Sequence, residues 1–237
     1  MDIEGSVALV TGANRGLGRR FTEQLLERGA ATVYGAARDP GSITTPGVRP
    51  LTLDLLDPRS IEDVAAAAPD VDLLVNNAGI SAYQNLVRGE LSEIRREMDT
   101  HFFGTLGVTR AFADVLARNG GGAVVNLLSA LSWFSWDGAT SYAAAKAAEW
   151  SLTNATRVEL AAQGTQVVGV HLGAADTDMM AGYDGPLLDP ADVVRIALDG
   201  LAAGEVEVLV DDWSRTVKAG LAEDPGAFYA SIAAATG

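Results

Sequence analysis

Short apolar runs alternate with segments of helical periodicity along the whole chain. The first run, Ser6–Thr11, precedes a segment, Gly18–Arg28, in which Phe21, Leu25 and Leu26 recur at helical spacing. Further strands are predicted at Ala31–Ala36, Pro50–Leu53, Asp72–Val75, Val124–Leu128, Thr165–His171 and Val206–Val210. Further helices are predicted at Pro58–Ala68, Leu91–Arg118 (one or two), Tyr142–Ala162 with Gly164 as its stop, Asp192–Leu201 and an Ala-rich tail.

Unbroken apolar strands separated by helices are typical of a parallel sheet that is covered on both faces. The pattern therefore predicts an α/β fold over residues 1–237, a single doubly wound parallel sheet of about seven strands with helices on both faces, as in Rossmann folds. The longest weakly patterned segment is Ala174–Pro190, which holds two Gly and two Pro. We expect this segment to form a lid over a substrate.

Composition narrows the possible functions. The 237 residues include no Cys and 2 His, so a disulfide framework, a thiolate metal centre and a cysteine nucleophile are excluded, and no metal is predicted. Lys and Arg number 17 against 31 Asp and Glu, a net charge of −14, which gives no basic surface for nucleic acid or an anionic membrane. With neither a long apolar run nor a basic leader, we expect a cytoplasmic chain.

A glycine-rich turn joins the first predicted strand to the first predicted helix. Its sequence is Thr11-Gly12-Ala13-Asn14-Arg15-Gly16-Leu17-Gly18. In an open parallel sheet this turn is where a dinucleotide pyrophosphate binds, because glycines let the backbone approach and the helix N–H groups attract negative charge. The spacing departs from the general G-x-G-x-x-G fingerprint, and a tight turn without a ligand is the alternative.

This spacing resembles that of the short-chain dehydrogenase/reductase family, single-domain type. Three further stretches resemble the family in the same order: Asn76-Asn77-Ala78-Gly79 after the fourth strand, Ser129 after the fifth, and Tyr142 to Lys146 opening the long helix. The resemblance extends from about Ser6 to about Asp178. It implies hydride transfer between a nicotinamide cofactor and a carbonyl or alcohol, by a homodimer or homotetramer.

Tyr142 and Lys146 are four residues apart, so on a helix they share a face. A phenol has a pKa of about 10, and a nearby ammonium lowers it toward the range useful for proton transfer. By the resemblance, Tyr142 is the general acid/base, while Lys146 lowers its pKa and holds the nicotinamide ribose. Ser129 can hold the substrate oxygen; a serine that caps the strand end is the alternative.

The residues after the second strand predict which cofactor binds. Ala37 stands where an NAD-preferring member of the family would carry an acid, Arg38 follows it, and Arg15 lies in the glycine turn. Two guanidiniums can bind a 2′-phosphate, so we expect NADP(H); solvated surface arginines are the alternative, and Asp39 leaves NAD open. The resemblance implies further cofactor contacts from Gly12, Asn14, Gly16, Leu17, Gly18, Asp54, Leu55, Asn77, Ala78, Gly79, Gly173 and Thr177.

Two positions depart from the family pattern. His101 stands where the family usually has an Asn that supports a helix kink and a water path to the lysine; a packed histidine is the alternative. Leu172 replaces the proline of the Pro-Gly that usually follows the sixth strand, although Gly173 and Thr177 remain. The loop is expected to close on the cofactor, with its rigidity in question.

An apolar, partly aromatic substrate pocket is predicted, with ordinary packing as the alternative. Its residues are Trp133, Phe134 and Trp136 after Ser129, and Met179, Met180 and Tyr183 on the lid segment. No basic cluster indicates a phosphorylated or coenzyme A substrate. We therefore expect an NADP(H)-dependent carbonyl reductase or alcohol dehydrogenase acting on an apolar or aromatic ketone or aldehyde. The alternatives are a dinucleotide sensor without turnover, and an epimerase or dehydratase, which would need a larger C-terminal domain.

Overall fold

The computed structural model describes residues 1–236, so Gly237, at the end of the predicted domain, lies outside the described residues. Seven strands are present: β1 Val7–Thr11, β2 Thr32–Ala37, β3 Val48–Thr52, β4 Leu73–Asn76, β5 Ala123–Leu127, β6 Gln166–His171 and β7 Glu207–Leu209. They form one parallel sheet in the order β3-β2-β1-β4-β5-β6-β7. The predicted doubly wound fold is confirmed.

Eight helices surround this sheet in the described chain. They are α1 Gly16–Glu27, α2 Pro58–Ala67, α3 Leu91–Met98, α4 Thr105–Arg118, α5 Thr140–Glu159, α6 Pro190–Ala202, α7 Asp212–Gly220 and α8 Pro225–Thr236. Carboxylates start several of them: Asp57 accepts a hydrogen bond from Arg59 N at 3.0 Å, and Asp189 accepts one from Ala191 N at 2.7 Å. Gly164, at φ 76°, follows the short 3-10 turn after α5, as expected of the stop.

Two predicted helical regions differ in detail. Leu91–Arg118 is divided into α3 and α4 by a π-helical segment, Asp99–Gly104, which widens the helix locally. The tail forms two helices rather than one, because α7 ends at Gly220 and Pro225, whose ring cannot continue a helix from the preceding residues, begins α8.

The sheet separates two apolar layers. Phe21 and Leu25 of α1 pack with α6 on one face, whereas Phe112 and Leu116 of α4 pack with α2 on the other. The strand order reverses between β1 and β4, and in such sheets ligands bind beyond the carboxyl ends of the strands at this reversal. The glycine turn, the segment after β4 and the segment after β5 all lie at this edge.

Candidate active site

The glycine turn is shaped by close backbone approach. Gly12 and Gly16 have φ values of 66° and 51°. A Cβ on Gly12 would lie 2.9 Å from Ala78 Cα, and one on Gly18 would lie 2.1 Å from the Gly12 oxygen. No larger residue fits at either place, and the first turn of α1 has no side-chain cap. Its N–H groups are therefore available to an anion.

Hydrogen bonds lock the segment after β4 against this turn. Asn77 Nδ2 donates to the Thr11 oxygen at 2.8 Å, and Thr11 Oγ1 accepts from the N–H groups of Asn77 and Ala78, both at 3.0 Å. Gly79 follows, and a Cβ there would lie 2.5 Å from His101 Cε1. The predicted stretch 76–79 thus hydrogen-bonds to the glycine turn and packs against the His101 ring.

A cavity of about 300 Å³ lies between the glycine turn and the segment after β6. Its lining is rich in charge: Asn14, Arg15, Gly16, Arg19, Arg20, Asp176, Thr177, Asp178 and Pro190. Arg15, which is predicted to contact the 2′-phosphate, forms an exposed ion pair with Asp178 at 3.2 Å. A second cavity, of about 450 Å³, lies beside Leu187 and Leu188 and contains none of the predicted site residues.

The end of β2 carries the predicted cofactor discriminator. Arg38 is exposed and makes no hydrogen bond or ion pair with any residue in the range 1–236. The Asp39 carboxylate, in contrast, accepts a hydrogen bond from Gly41 N at 3.0 Å and starts a short 3-10 turn. Asp54 accepts from Leu56 N at 3.0 Å, and Leu55 packs against Gly104. Arg38 is therefore available to a phosphate, while Asp39 is engaged locally.

Tyr142 and Lys146 face the same side of α5. The Lys146 Nζ lies 5.7 Å from the centre of the Tyr142 ring, and it donates to the Leu127 oxygen at 2.6 Å. Leu127 ends β5 two residues before Ser129, so the lysine joins this helix to that strand. Ser129 Oγ accepts a hydrogen bond from Leu131 N at 3.1 Å and so caps the short 3-10 turn that follows β5, close to the predicted capping alternative. The hydroxyl hydrogen is left free to donate to a substrate.

The pKa of Tyr142 departs from the predicted direction. Desolvation of the hydroxyl raises it, the Lys146 charge lowers it, and the carboxylates of Glu149 and Glu97 raise it. The net shift is upward, so the predicted lowering is wrong for the protein chain alone, although Lys146 acts with the expected sign. Burial is the largest single influence and lowers the pKa of Lys146, but Glu149 and Tyr142 together outweigh it and the net shift is upward.

His101 lies in the π-helical segment and is 1% exposed. Its Nε2 is 2.7 Å from the Ile80 oxygen, its Nδ1 is 3.6 Å from Glu149 Oε2, and its ring meets the Tyr142 ring edge-to-face at 5.3 Å. The helix irregularity predicted at this position is present. The histidine reaches the lysine through Glu149 rather than directly.

Three acidic residues in this region were missed by the sequence analysis. Glu149, three residues after Lys146, accepts a hydrogen bond from the lysine Nζ at 2.7 Å. Glu97 accepts hydrogen bonds from Ala82 N at 2.6 Å and from the Ser141 hydroxyl. Asp211, the cap of α7, accepts one from Gly173 N at 2.7 Å. Only Glu149 has a sequence signal, its i,i+3 spacing from Lys146 on a helix.

The loop after β6 is held by hydrogen bonds and packing although Leu172 replaces the proline. Leu172 is 6% exposed in the core, and its oxygen accepts a hydrogen bond from Ala130 N at 2.9 Å. Asp211 holds Gly173, and the Thr177 methyl carbon would lie 3.3 Å from a Cβ on Gly16. The segment after β6 therefore closes on the glycine turn.

The predicted pocket residues divide into two groups. Trp133 is 8% exposed, stacks on His171 with ring centres 3.8 Å apart, and packs with Phe134 and the C-terminal helices. The packing alternative holds for these two. Trp136, Met179 and Tyr183 are partly exposed, and Tyr83 OH donates to the Met179 oxygen, so the segment 174–190 contacts the loop after β4.

Within residues 1–236 no group of three or more His, Cys, Asp or Glu is placed to hold a metal ion. No helix in that range is long and apolar enough to cross a membrane. The parallel sheet, its glycine turn and the Tyr-Lys pair define a dinucleotide-binding oxidoreductase. The family described as short chain dehydrogenase matches residues 6–185, and the chain belongs to this family, whose members bind NAD(P).

Individual relatives agree with this assignment. The 3-oxoacyl-[acyl-carrier-protein] reductase FabG of Vibrio cholerae is 34% identical over 188 residues, which are 76% of this chain and 77% of the relative. A short chain dehydrogenase from Burkholderia cenocepacia J2315, solved in complex with NADP, superposes with a TM-score of 0.93 at 36% identity, covering 98% of this chain and 99% of the other. The 3-ketoacyl-(acyl-carrier-protein) reductase from Brucella melitensis, complexed with NADH, gives 0.80 at 26% identity, covering 87% and 96%.

Proposed function

We propose that the protein is an NADP(H)-dependent carbonyl reductase or alcohol dehydrogenase. One observation carries the proposal: the buried Lys146 ammonium lies 5.7 Å from the Tyr142 ring and is anchored to the end of β5, beside Ser129. A cationic group at that place favours a phenol that gives up its proton to a substrate oxygen. The bound cofactor would supply or accept the hydride.

Each residue has a distinct task in this proposal. Tyr142 donates its phenolic proton to the carbonyl oxygen during reduction and takes it back during oxidation. Ser129 donates its hydroxyl hydrogen to the same oxygen, which orients the substrate. Lys146 holds the cofactor ribose and stabilises the phenolate. A non-catalytic sensor would have no need of all three.

The chain's own residues fit a 2′-phosphorylated dinucleotide. The cradle formed by Gly12, Gly16 and Gly18 admits a pyrophosphate where side chains would not fit, and the cavity beside it is lined by three arginines. Arg38 lacks a partner in the described chain, whereas Asp39 is engaged by Gly41. The NADP complex of the Burkholderia cenocepacia relative supports the same preference.

For the substrate we propose an apolar, partly aromatic ketone or aldehyde. Trp136, Met179 and Tyr183 offer partly exposed apolar surface, the last two on the segment 174–190. That segment, which we propose as a lid, already contacts the glycine turn through Asp178 and the loop after β4 through Met179. A 3-oxoacyl thioester is the second candidate, favoured by the similarity to the acyl-carrier-protein reductases of Vibrio and Brucella.

We also propose an assembly of two or four chains. The outer face of α5 carries small residues, among them Ala144, Ala147 and Ala148, that are only partly covered, and Val158 farther along is 78% exposed. Small residues allow two helices to pack closely. Light scattering of the purified chain measures the assembly, and a monomer at micromolar concentration would contradict it.

One experiment tests the function. Aldehydes, ketones, alcohols and a 3-oxoacyl thioester are screened with NADPH and with NADH, following nicotinamide absorbance. We expect turnover with NADPH on apolar carbonyls, and none from a Tyr142→Phe sample prepared in parallel. Turnover confined to the thioester would favour the second candidate. Tight NADPH binding without turnover of any substrate would favour the sensor.

A further inference from the structure

A carboxylate lies buried directly behind the proposed proton donor. Glu149 is 2% exposed, and its oxygens accept hydrogen bonds from Lys146 Nζ at 2.7 Å and from the Thr105 hydroxyl at 3.1 Å. Burial is the largest single influence and raises the pKa of Glu149, but Lys146 and His101 together outweigh it and the net shift is downward. A buried charge is costly without partners, so the carboxylate persists here because the lysine matches it.

His101 completes this group from the other side. Its Nε2 lies 2.7 Å from the Ile80 oxygen and 3.3 Å from the Ile80 N–H, so it is held by the Ile80 backbone in either tautomer. Its Nδ1 has no hydrogen-bond partner among the described residues and faces Glu149 Oε2 at 3.6 Å, longer than a good hydrogen bond. The ring is thus held beside both the carboxylate and the edge of Tyr142.

We propose that Glu149 is a positioning residue for the reaction: with His101 it holds Lys146 in a buried ion pair and limits how strongly the lysine charge acts on the Tyr142 phenol. This inference rests on the proposed function, because it assigns Tyr142 the proton transfer. Glu149 contacts no reacting atom. It acts through Lys146.

The charges around the phenol fix the sign of the effect. Lys146 lowers the pKa of Tyr142, whereas Glu149 on the same helix and Glu97 on α3 raise it, as does Tyr83 from the loop after β4. His101 faces the group from the π-helical segment, and His171 on β6 interacts through space with Lys146 and Glu149. Removing the Glu149 charge therefore leaves the lysine uncompensated and favours the phenolate.

The test is the pH profile of the Glu149→Gln variant, which retains a side-chain oxygen for Lys146. Alcohol oxidation rises, and carbonyl reduction falls, as Tyr142 loses its proton. We expect the pH–rate curves of both oxidation and reduction to move to lower pH by about one unit relative to the wild type, the scale of a single neighbouring charge. Thr105→Val is the matched control, because it removes a hydrogen bond from the same carboxylate without changing charge, and its profile should not move.

A second readout needs neither cofactor nor substrate. Tyrosinate absorbance is titrated in the wild type and in Glu149→Gln, each compared with its Tyr142→Phe counterpart to isolate this phenol. The Tyr142 signal should also appear at lower pH in Glu149→Gln. Should that variant not fold, Glu149→Ala is measured the same way, since it removes the same charge and suits a helix.

An unmoved profile, or one displaced to higher pH, in the charge-removing variant overturns the inference. An equal displacement in Thr105→Val does the same, because it would attribute the effect to packing. Full activity in Tyr142→Phe would instead overturn the proposed function itself. The two failures are therefore distinguishable.

Discussion

At the scale of the residue, one hydroxyl should separate catalysis from binding. Tyr142→Phe keeps the ring that packs against His101 and removes the proton that the substrate oxygen needs. We expect kcat to fall by at least ~10²-fold, the scale of general acid catalysis, with NADPH affinity nearly unchanged. Tyr34→Phe, which loses the hydroxyl contacts to Asp70 and Arg49 away from the proposed site, is the control and should keep its activity. Similar kcat values for the two variants would show that Tyr142 does not transfer the proton.

Arg38 should set the choice of cofactor. It has no partner within the described chain, so Arg38→Asp both removes an attraction for a 2′-phosphate and adds a repulsion. We expect kcat/KM with NADPH to fall ~10–100-fold, the value of one or two charge-assisted hydrogen bonds, so that NADH becomes the better substrate. Arg118→Asp, the same change on exposed α4, controls for net charge. A wild type indifferent between the cofactors would refute this role.

His101 should tolerate Asn better than Leu. The position needs a polar group for the Ile80 oxygen and for the buried carboxylate of Glu149. Asn supplies donors and an acceptor, whereas Leu fills the volume but leaves the Ile80 backbone without its side-chain partner, at about 1–3 kcal/mol. We expect His101→Asn to retain most of kcat and His101→Leu to lose it, with little change in NADPH affinity. Equal rates in both variants would make the histidine a packing residue.

The sequence is most informative where partners are near in the chain. Tyr142 and Lys146 are adjacent because a helix places residues four apart on one face. Glu97, in contrast, binds Ala82 and Ser141, the second of which is 44 residues away. Such a contact depends on how three segments pack. The net upward shift in the pKa of Tyr142 has the same origin, because desolvation depends on the surrounding fold.

At the scale of the element, the loop after β4 and the π-helical segment fit each other through Gly79. A Cβ there would lie 2.5 Å from the Cε1 of the pinned His101 ring. We expect Gly79→Ala to lower the free energy of unfolding by about 1–3 kcal/mol, measured by denaturant titration. In a His101→Asn background the loss should be smaller, because the shorter side chain leaves room. A cost that is the same in both backgrounds would show that the two positions do not interact.

Apolar runs predicted the central strands, whose residues are largely buried on both faces. The edge strand β3 is different, because Arg49, Pro50 and Thr52 are exposed and only a short run before Asp54 indicated it. Helix irregularities were harder to predict. The π-helical segment Asp99–Gly104 preserves the apolar periodicity on either side, so Leu91–Arg118 is compatible with one helix or two. Within this segment His101 contacts Ile80, which lies outside the helix and far away along the chain.

At the scale of the whole molecule, stability should depend on one buried histidine. Burial lowers the pKa of His171 from 6.5 to about 3, so the folded state keeps the ring neutral where the unfolded chain takes up a proton. The contribution to stability is complete above the unfolded pKa and is lost as pH falls from about 6.5 toward 3. The free energy of unfolding lost in this way reaches about 2 kcal/mol at about pH 5.

Urea unfolding measures this effect. The wild type should lose more free energy of unfolding between about pH 7 and pH 5 than His171→Gln, which cannot titrate there but retains a donor for the Ser129 oxygen. The difference between the two proteins isolates the histidine from the many carboxylates of an acidic chain. Identical losses would indicate that the ring is protonated in the folded state.

The hydrogen bond from Gly173 N to Asp211 has a consequence for exchanging parts between relatives. The family match ends at residue 185, whereas the carboxylate that holds the loop after β6 lies 26 positions beyond it, at the cap of α7. A hybrid that joins residues 1–185 of this chain to the C-terminal segment of a relative would lose that anchor unless the graft brings an acid to the same place. That segment would then decide whether the loop after β6 is still held against the glycine turn, and with it how tightly the hybrid binds its cofactor.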